Sequence, residues 1–268
     1  MSSAMTPSIG VGITTRNRHD ALSVGLAHFA HFNQSNMRYV VVDDSSDTPY
    51  DDVISEFAPD LEITLRRSER RLGISSAKNA CLVTLQDCDH VFLLDDDAWP
   101  KCANWAERWL AATESQDLGH SMYVSYLNEH DNLYRILDTK GEGSLAIDWW
   151  GNCMGLAMHY RRDCLDAIGG YDVTGSANVY GYEHAQMSQR ASKAGFAGRS
   201  GGAYPSPAVV RDLIYSMDVT FHFHEELPPL GRVPDFPRTI TEEELAGASL
   251  NSVMMQNYEV FIPLSDPI

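Results

Sequence analysis

The sequence predicts an α/β fold: a doubly wound, mainly parallel central sheet flanked by helices, with a C-terminal extension. Three observations carry that prediction. Short apolar runs alternate with helical patterns through the first hundred residues, the signature of a parallel sheet with crossover helices. Three of the runs end in polar clusters, Thr14-Thr15-Arg16-Asn17-Arg18, Asp43-Asp44-Ser45-Ser46-Asp47 and Asp95-Asp96-Asp97, and such sheets bind ligands at the carboxyl ends of their strands. Hydrophobic residues make up 44% of 268 residues, enough for a substantial core.

The elements follow in order. Residues 9–14 read as a strand, then a helix carries Leu22, Leu26 and Phe29 on one face. Residues 37–42 are a second strand, residues 51–57 a helix, and residues 61–65 a third strand. After the Arg70-Arg71-Leu72-Gly73 loop, a helix over 75–85 places Ala77, Ala80, Cys81 and Leu85 inward. The run 91–95 is a buried strand closed by Trp99-Pro100. A helix fits 102–113, with Trp105 and Trp109 one turn apart as core residues. Extended segments follow near 121–127, 133–139 and 153–159. Short helices fit 162–168 and, opened by Gly181-Tyr182-Glu183-His184, 181–194, the latter capped by Gly195. A strand over 219–223 and a capping-box helix over 241–257 complete the chain. The organisation expected is one domain over 1–224, with a nucleotide-binding half at about 8–100 and an acceptor half at about 101–224. Residues 225–268 form an extension or lid.

Composition narrows the functions. The formal net charge of −17, from Asp+Glu 37 against Lys+Arg 20, argues against a surface that tracks bulk nucleic acid. The odd set of five cysteines lacks metal-type spacing and reads as reduced core thiols, which points to the cytoplasm. No signal-peptide pattern opens the sequence and no apolar run reaches membrane-spanning length.

Asp95-Asp96-Asp97 is the stretch with the sharpest chemistry. Like charges repel, and folding alone gives no reason to gather three of them. A hard divalent cation does, because Mg²⁺ and Mn²⁺ take one or two carboxylates together with substrate phosphates. Asp95 and Asp97 share a side of an extended chain. The competing reading is a solvated acidic turn.

These pieces, taken in order, resemble a GT-A-fold (Rossmann-like) glycosyltransferase of the family-2-like group, dependent on nucleotide-diphosphate sugars. The resemblance covers about residues 8–224. It rests on the Thr-Arg-Asn-Arg strand end, Val-Val-Val-Asp-Asp-Ser-Ser-Asp, Arg-Leu-Gly-Ile-Ser-Ser-Ala-Lys-Asn-Ala, the Asp-x-Asp (DXD) motif at 95–97, Gly169-Gly170-Tyr171-Asp172 and Gly181-Tyr182-Glu183-His184. It implies a transferase that moves a sugar, from UDP by default, to a carbohydrate or other hydroxyl acceptor. Thr14 and Arg16 would border the nucleotide, and Asp43 or Asp44 would accept bonds from base or ribose. Arg71 and Lys78 would lie near base and diphosphate, and Asp95 and Asp96 would line the donor. Asp97 with Asp95 would hold Mn²⁺ or Mg²⁺, joined by a C-terminal histidine, His222 or His224. Inverting relatives usually carry two acids where this sequence has Glu183-His184, so Glu183, His184 and Asp148 all stand as base candidates. Trp149 and Trp150 are either core or a stacking surface for a sugar.

Rival readings are a sugar-nucleotide nucleotidyltransferase, which would open with a Gly-rich loop that this sequence lacks, and a catalytically impaired sugar-nucleotide or glycan-binding protein, favoured by the altered 183–184 pair. A third, a small metal-binding barrel suggested by His222-x-His224-Glu225-Glu226, conflicts with the α/β pattern before it. Donor base, sugar, acceptor, stereochemistry and oligomeric state stay open.

Overall fold

A computed structural model describes residues 6–124, 136–151, 155–174, 183–198, 203–216 and 260–268. The centre is a six-stranded sheet. Four parallel strands come from the first hundred residues: β1 (Ile9–Thr15), β2 (Met37–Asp43), β3 (Ile63–Arg67) and β4 (His90–Asp95). Two later strands, β6 (His120–Met122) and β9 (Ala157–Arg161), join beyond β4, giving the order β3-β2-β1-β4-β9-β6. β9 runs antiparallel to both neighbours, so the sheet is mixed. β1 is buried at all seven positions, as an apolar strand between two neighbours should be, whereas β3 at the edge is half exposed.

The helices cover both faces. The helices α1 (His19–His31) and α2 (Asp51–Phe57) lie between β1, β2 and β3 in sequence and pack on one face, where Leu22, Leu26, Phe29 and Ile54 meet Ile9, Val11, Ile13, Phe92 and Leu94. Trp105 and Trp109, from α4 (Trp105–Ser115), close that core, as the sequence predicts. The other face takes α3 (Ile74–Thr84), α5 (Arg162–Ile168) and α6 (Glu183–Lys193), with Ala77, Cys81 and Leu82 against Val91, Leu93 and Met158. Gly12 allows α3 this close, since a Cβ there would stand 2.7 Å from that of Cys81.

The change of face has a consequence for ligands. The chain winds outward from β1 to β3, then returns through α3 to place β4 on the other side of β1. The carboxyl ends of β1 and β4 therefore flank the topological switch point, where open α/β sheets form their ligand crevice.

Several boundaries differ from expectation. Asn104 takes a left-handed conformation (φ 57°), so α4 begins at Trp105 rather than 102. Ala98–Pro100, read as a stop, forms β5 and pairs with β11 (Ile214–Ser216). A three-stranded antiparallel sheet, β10-β8-β7, joins β7 (Ile136–Lys140), β8 (Ile147–Trp150) and β10 (Tyr204–Pro207). Two prolines hid β10 from a reading of propensity, and its place at the sheet's edge is where proline is tolerated. The expected strand 219–223, the helix 241–257 and the boundary at 224–225 lie outside the described residues. Cys81, Cys88, Cys102 and Cys164 are free thiols. Among the described residues no helix is long and apolar enough to cross a membrane.

Candidate functional site

Alternation along β1 and β4 sorts the polar residues at the switch point. Ile13 and Leu94 face the α1 core, so Thr14 and Asp95 point to the α3 side and Thr15 and Asp96 back to the α1 side. The register confirms the pairing, with Thr14 opposite Asp95. Asp95 and Asp96 therefore part company in a single step.

On the α3 side, Lys78 is 1% exposed and stands between two acids. Its Nζ lies 3.1 Å from Glu183 Oε1 and 3.5 Å from Asp95 Oδ1, and donates to the Gly155 carbonyl at 3.4 Å. Burial works to neutralise the ammonium, but Asp95 and Glu183 outweigh it and hold Lys78 charged, its pKa raised. One cation does not serve the buried Glu183 and the partly exposed Asp95 equally. Burial pushes Asp95 up to about 6 against the pull of Lys78. For Glu183, burial is outweighed by Lys78 and the adjacent His184, which hold the carboxyl well below the usual range. Asp95 Oδ1 and Glu183 Oε2 are buried and make no hydrogen bond. Asn79, next to Lys78, accepts from the Tyr171 amide and donates to its carbonyl, tying α3 to the Gly170-Tyr171 turn.

Glu183 and His184 open α6, and His184 Nδ1 lies 3.5 Å from Glu183 Oε1. The imidazole packs directly on Gly155, where any Cβ would overlap the ring. Gly155 is thus part of the site, and nothing in its local sequence marks it.

On the α1 side, Asp96 is enclosed. Thr15 Oγ1 donates to its Oδ2 at 2.7 Å and Arg18 Nη1 lies 2.8 Å from Oδ1. Since the Thr15 proton goes to Asp96, the Tyr50 hydroxyl donates to Thr15 (2.9 Å) and accepts the Arg18 amide (2.8 Å). Burial raises Asp96 to about 7 against the pull of Arg18. Arg18 also donates to Asp97 Oδ2 at 3.0 Å. Sequence reading placed Arg18 within a motif but assigned it no role; a second basic residue after a strand end was the available signal. Tyr50, 32 residues away, carried none.

At the end of β2, Asp43 is fully buried. Its Oδ1 accepts the Ser46 amide at 2.8 Å, and its Oδ2, 3.6 Å from Arg67 Nε, makes no hydrogen bond. Asp44 spends both oxygens on the amides of Leu72 (2.6 Å) and Gly73 (3.0 Å), so it shapes the loop that carries Arg71 into α3. Arg16 and Arg71 are exposed. Thr14 Oγ1 is buried without a hydrogen bond.

Asp148 lies elsewhere. It sits on β8 and accepts from Thr139 Oγ1 at 2.6 Å; among the described residues no hydrogen bond or ion pair joins it to Asp95, Glu183 or His184. Trp149 and Trp150 are both buried, and Trp149 Nε1 donates to the Ala197 carbonyl, so their faces are occupied by packing. His222 and His224 lie outside the described residues.

Among the described residues no three His, Cys, Asp or Glu side chains converge as a ready metal cage. The chemistry of the rim nevertheless suits a hard cation: Asp95 and Asp97 are carboxylates, the oxygen donors such an ion takes, and Asp95 Oδ1 accepts no hydrogen bond. Such ions complete their shell from substrate phosphates rather than from an all-protein cage.

A family model described as glycosyl transferase family 2 matches residues 10–166. The chain is 28% identical over 197 residues to "Uncharacterized glycosyltransferase R363" of Acanthamoeba polyphaga mimivirus, covering 69% of this chain and 73% of that protein. Among solved structures it is similar to the mannosyltransferase PcManGT from Pyrobaculum calidifontis in complex with GDP-Man and Mn²⁺, with a TM-score of 0.55 and 19% identity. That match covers 72% of this chain and 54% of the other, so the chain spans about half of that structure. It is also similar to S. aureus TarS 1-349 in complex with UDP, with a TM-score of 0.51 and 15% identity, covering 74% of this chain and 60% of that one. What is shared at these identities is the GT-A fold.

Proposed function

The chain belongs to glycosyl transferase family 2, and from that premise we propose that it moves a sugar from a nucleotide-diphosphate sugar to a hydroxyl acceptor, assisted by a divalent cation. The observation that carries this reading is the meeting at the β1–β4 switch point of Asp95, Lys78, Glu183 and His184, with Asp97 at the same rim.

Asp97 and Asp95 would hold the cation, Mn²⁺ or Mg²⁺, with His222 or His224 as a further ligand. When bound, that cation supplies charge stabilisation to a departing diphosphate. The chain's own residues do the rest. Thr14 Oγ1 and Asp43 Oδ2, both buried without a hydrogen bond, are the polar atoms left over for base or ribose. Asp44 fixes the loop that presents Arg71. Lys78 is too deeply enclosed to act as a mobile phosphate hand, and keeps Asp95 and Glu183 charged side by side.

Of the three base candidates, the geometry favours His184. Glu183 is held ionised by Lys78 and is a poor proton acceptor, and Asp148 lies on β8, with no hydrogen bond or ion pair to Asp95, Glu183 or His184 among the described residues. His184, with Nδ1 3.5 Å from Glu183 Oε1, is the imidazole placed beside the Lys78–Glu183 pair, and in this reading it takes the acceptor hydroxyl's proton. UDP is the first donor nucleotide to test, since TarS is similar and was solved with UDP; the GDP-Man of PcManGT makes GDP the second.

The test is a thermal-shift screen of nucleoside diphosphates with and without Mn²⁺, followed by donor turnover. A ligand that binds the folded state at 100 times its Kd adds about 2.7 kcal/mol of stability, so the true donor nucleotide stands out. Asp97→Asn is expected to abolish the Mn²⁺-dependent part of the shift and the turnover while its far-UV circular dichroism is unchanged. Full metal-stimulated turnover in that variant refutes the assignment.

A further inference from the structure

Three carboxylates at one strand end need counter-charge, and among the described residues Lys78 and Arg18 supply it. Lys78 is sealed in with Glu183. Arg18 is in a different position: its side chain is 35% exposed, and one nitrogen, Nη1, reaches both Asp96 Oδ1 at 2.8 Å and Asp97 Oδ2 at 3.0 Å. The two acids are unequal. The Asp96 side chain is 5% exposed and has Thr15 on its second oxygen; that of Asp97 is 19% exposed.

The root of Arg18 is fixed. Asn17 takes a left-handed conformation (φ 54°), donates its amide to Ser46 Oγ and pairs its side chain with Asp47. The Arg18 amide is held by Tyr50. The β1–α1 loop is therefore pinned to the loop after β2, and from that fixed root the long guanidinium arm reaches a buried acid, Asp96, and a more exposed one, Asp97.

We propose that Arg18 is a resident counter-ion of Asp97 that a divalent cation has to displace, so that Arg18 sets the affinity of the rim for metal. The inference rests on the reading of Asp95 and Asp97 as metal ligands. The lone pairs of Asp97 Oδ2 that accept the guanidinium are among those a metal would use, and a cation arriving there meets a like charge about one hydrogen-bond length away. The two cations are alternatives on one carboxylate. Asp96 keeps its hold on Arg18 in either case, which confines the exchange to Asp97.

The experiment is a Mn²⁺ titration of the full chain, without nucleotide, read from the electron paramagnetic resonance signal of free Mn²⁺. Arg18→Gln is expected to bind about tenfold more tightly than wild type, equivalent to ~1.4 kcal/mol. Arg18→Lys keeps the charge and guards against misfolding of the neutral variant; its ammonium reaches Asp96 but not both acids, and it is expected to tighten binding about threefold, or ~0.65 kcal/mol. Arg108→Gln removes the same charge from an exposed position on α4 and is expected to leave the affinity as in wild type. Unchanged or weaker binding in both Arg18 variants overturns the inference, as does equal tightening in Arg108→Gln, which would assign the effect to bulk charge. If no protein, wild type included, binds Mn²⁺ even with UDP or GDP added, the metal reading itself fails and this inference with it.

Discussion

Replacing Lys78 by methionine removes the buried cation between Asp95 and Glu183 while keeping nearly the same volume. At 3.1 Å and an effective dielectric of 20, the Lys78–Glu183 attraction alone is worth about 5 kcal/mol before desolvation is counted. Removing one partner of a buried pair leaves the other uncompensated and typically costs about 3–5 kcal/mol. For a chain of this size that lowers the Tm by roughly 6–20 °C at neutral pH. The pH dependence has a definite sign. In wild type the folded-state pKa of Glu183 is depressed, so its contribution is present above the unfolded value of about 4.3 and is lost as pH falls through the folded value. Without Lys78, burial meets only the smaller opposing pull of His184 and, at Glu183, of a backbone amide, so both carboxyls rise. The variant is then most stable when they are protonated, and loses stability as pH rises through the raised values. Melting both proteins from pH 5 to 8 reads this directly: Lys78→Met should recover Tm toward pH 5, and wild type should show no such gain from Glu183. A variant that melts within about 3 °C of wild type at pH 7.5, or fails to recover on acidification, refutes the keystone role.

Two further outcomes follow from single contacts. Gly155→Ala should drive the His184 ring from its seat and lower kcat by about a hundredfold or more, the usual contribution of a positioned base, with the Mn²⁺-linked nucleotide shift retained; wild-type turnover would remove His184 from the chemistry. His120 is buried, with Nδ1 donating to the His159 carbonyl and Nε2 accepting from Ser188, and burial lowers it from 6.5 to about 4. A depressed histidine favours the fold above its unfolded pKa, so this stability is lost between pH 6.5 and 4, and His120→Gln should remove about 3 kcal/mol of that acid-limb slope in denaturant titrations.

The layers and the rim are legible in the local pattern of residues. Apolar runs alternating with amphipathic segments specify a parallel sheet, because period and connection length are local properties of the chain. Residues 51–57 and 162–168 fold into helices with the predicted bounds. The polar clusters after β1, β2 and β4 lie on one edge because parallel strands share a direction. Only the tertiary structure decided which residue faces which. One step along β4 turns Asp95 toward Lys78 and Asp96 toward Arg18. Glu183 meets Lys78 across 105 residues, Tyr50 meets Thr15 across 35, and Asp44 is claimed by amides 28 and 29 residues on. Such partners are set by how the helices close over the sheet, and loop closure leaves no mark in local composition. For the same reason the antiparallel β9 between β4 and β6, and Pro-bearing β10, were beyond a reading of propensity: a strand's neighbours, rather than its own residues, fix its direction and its place in the sheet.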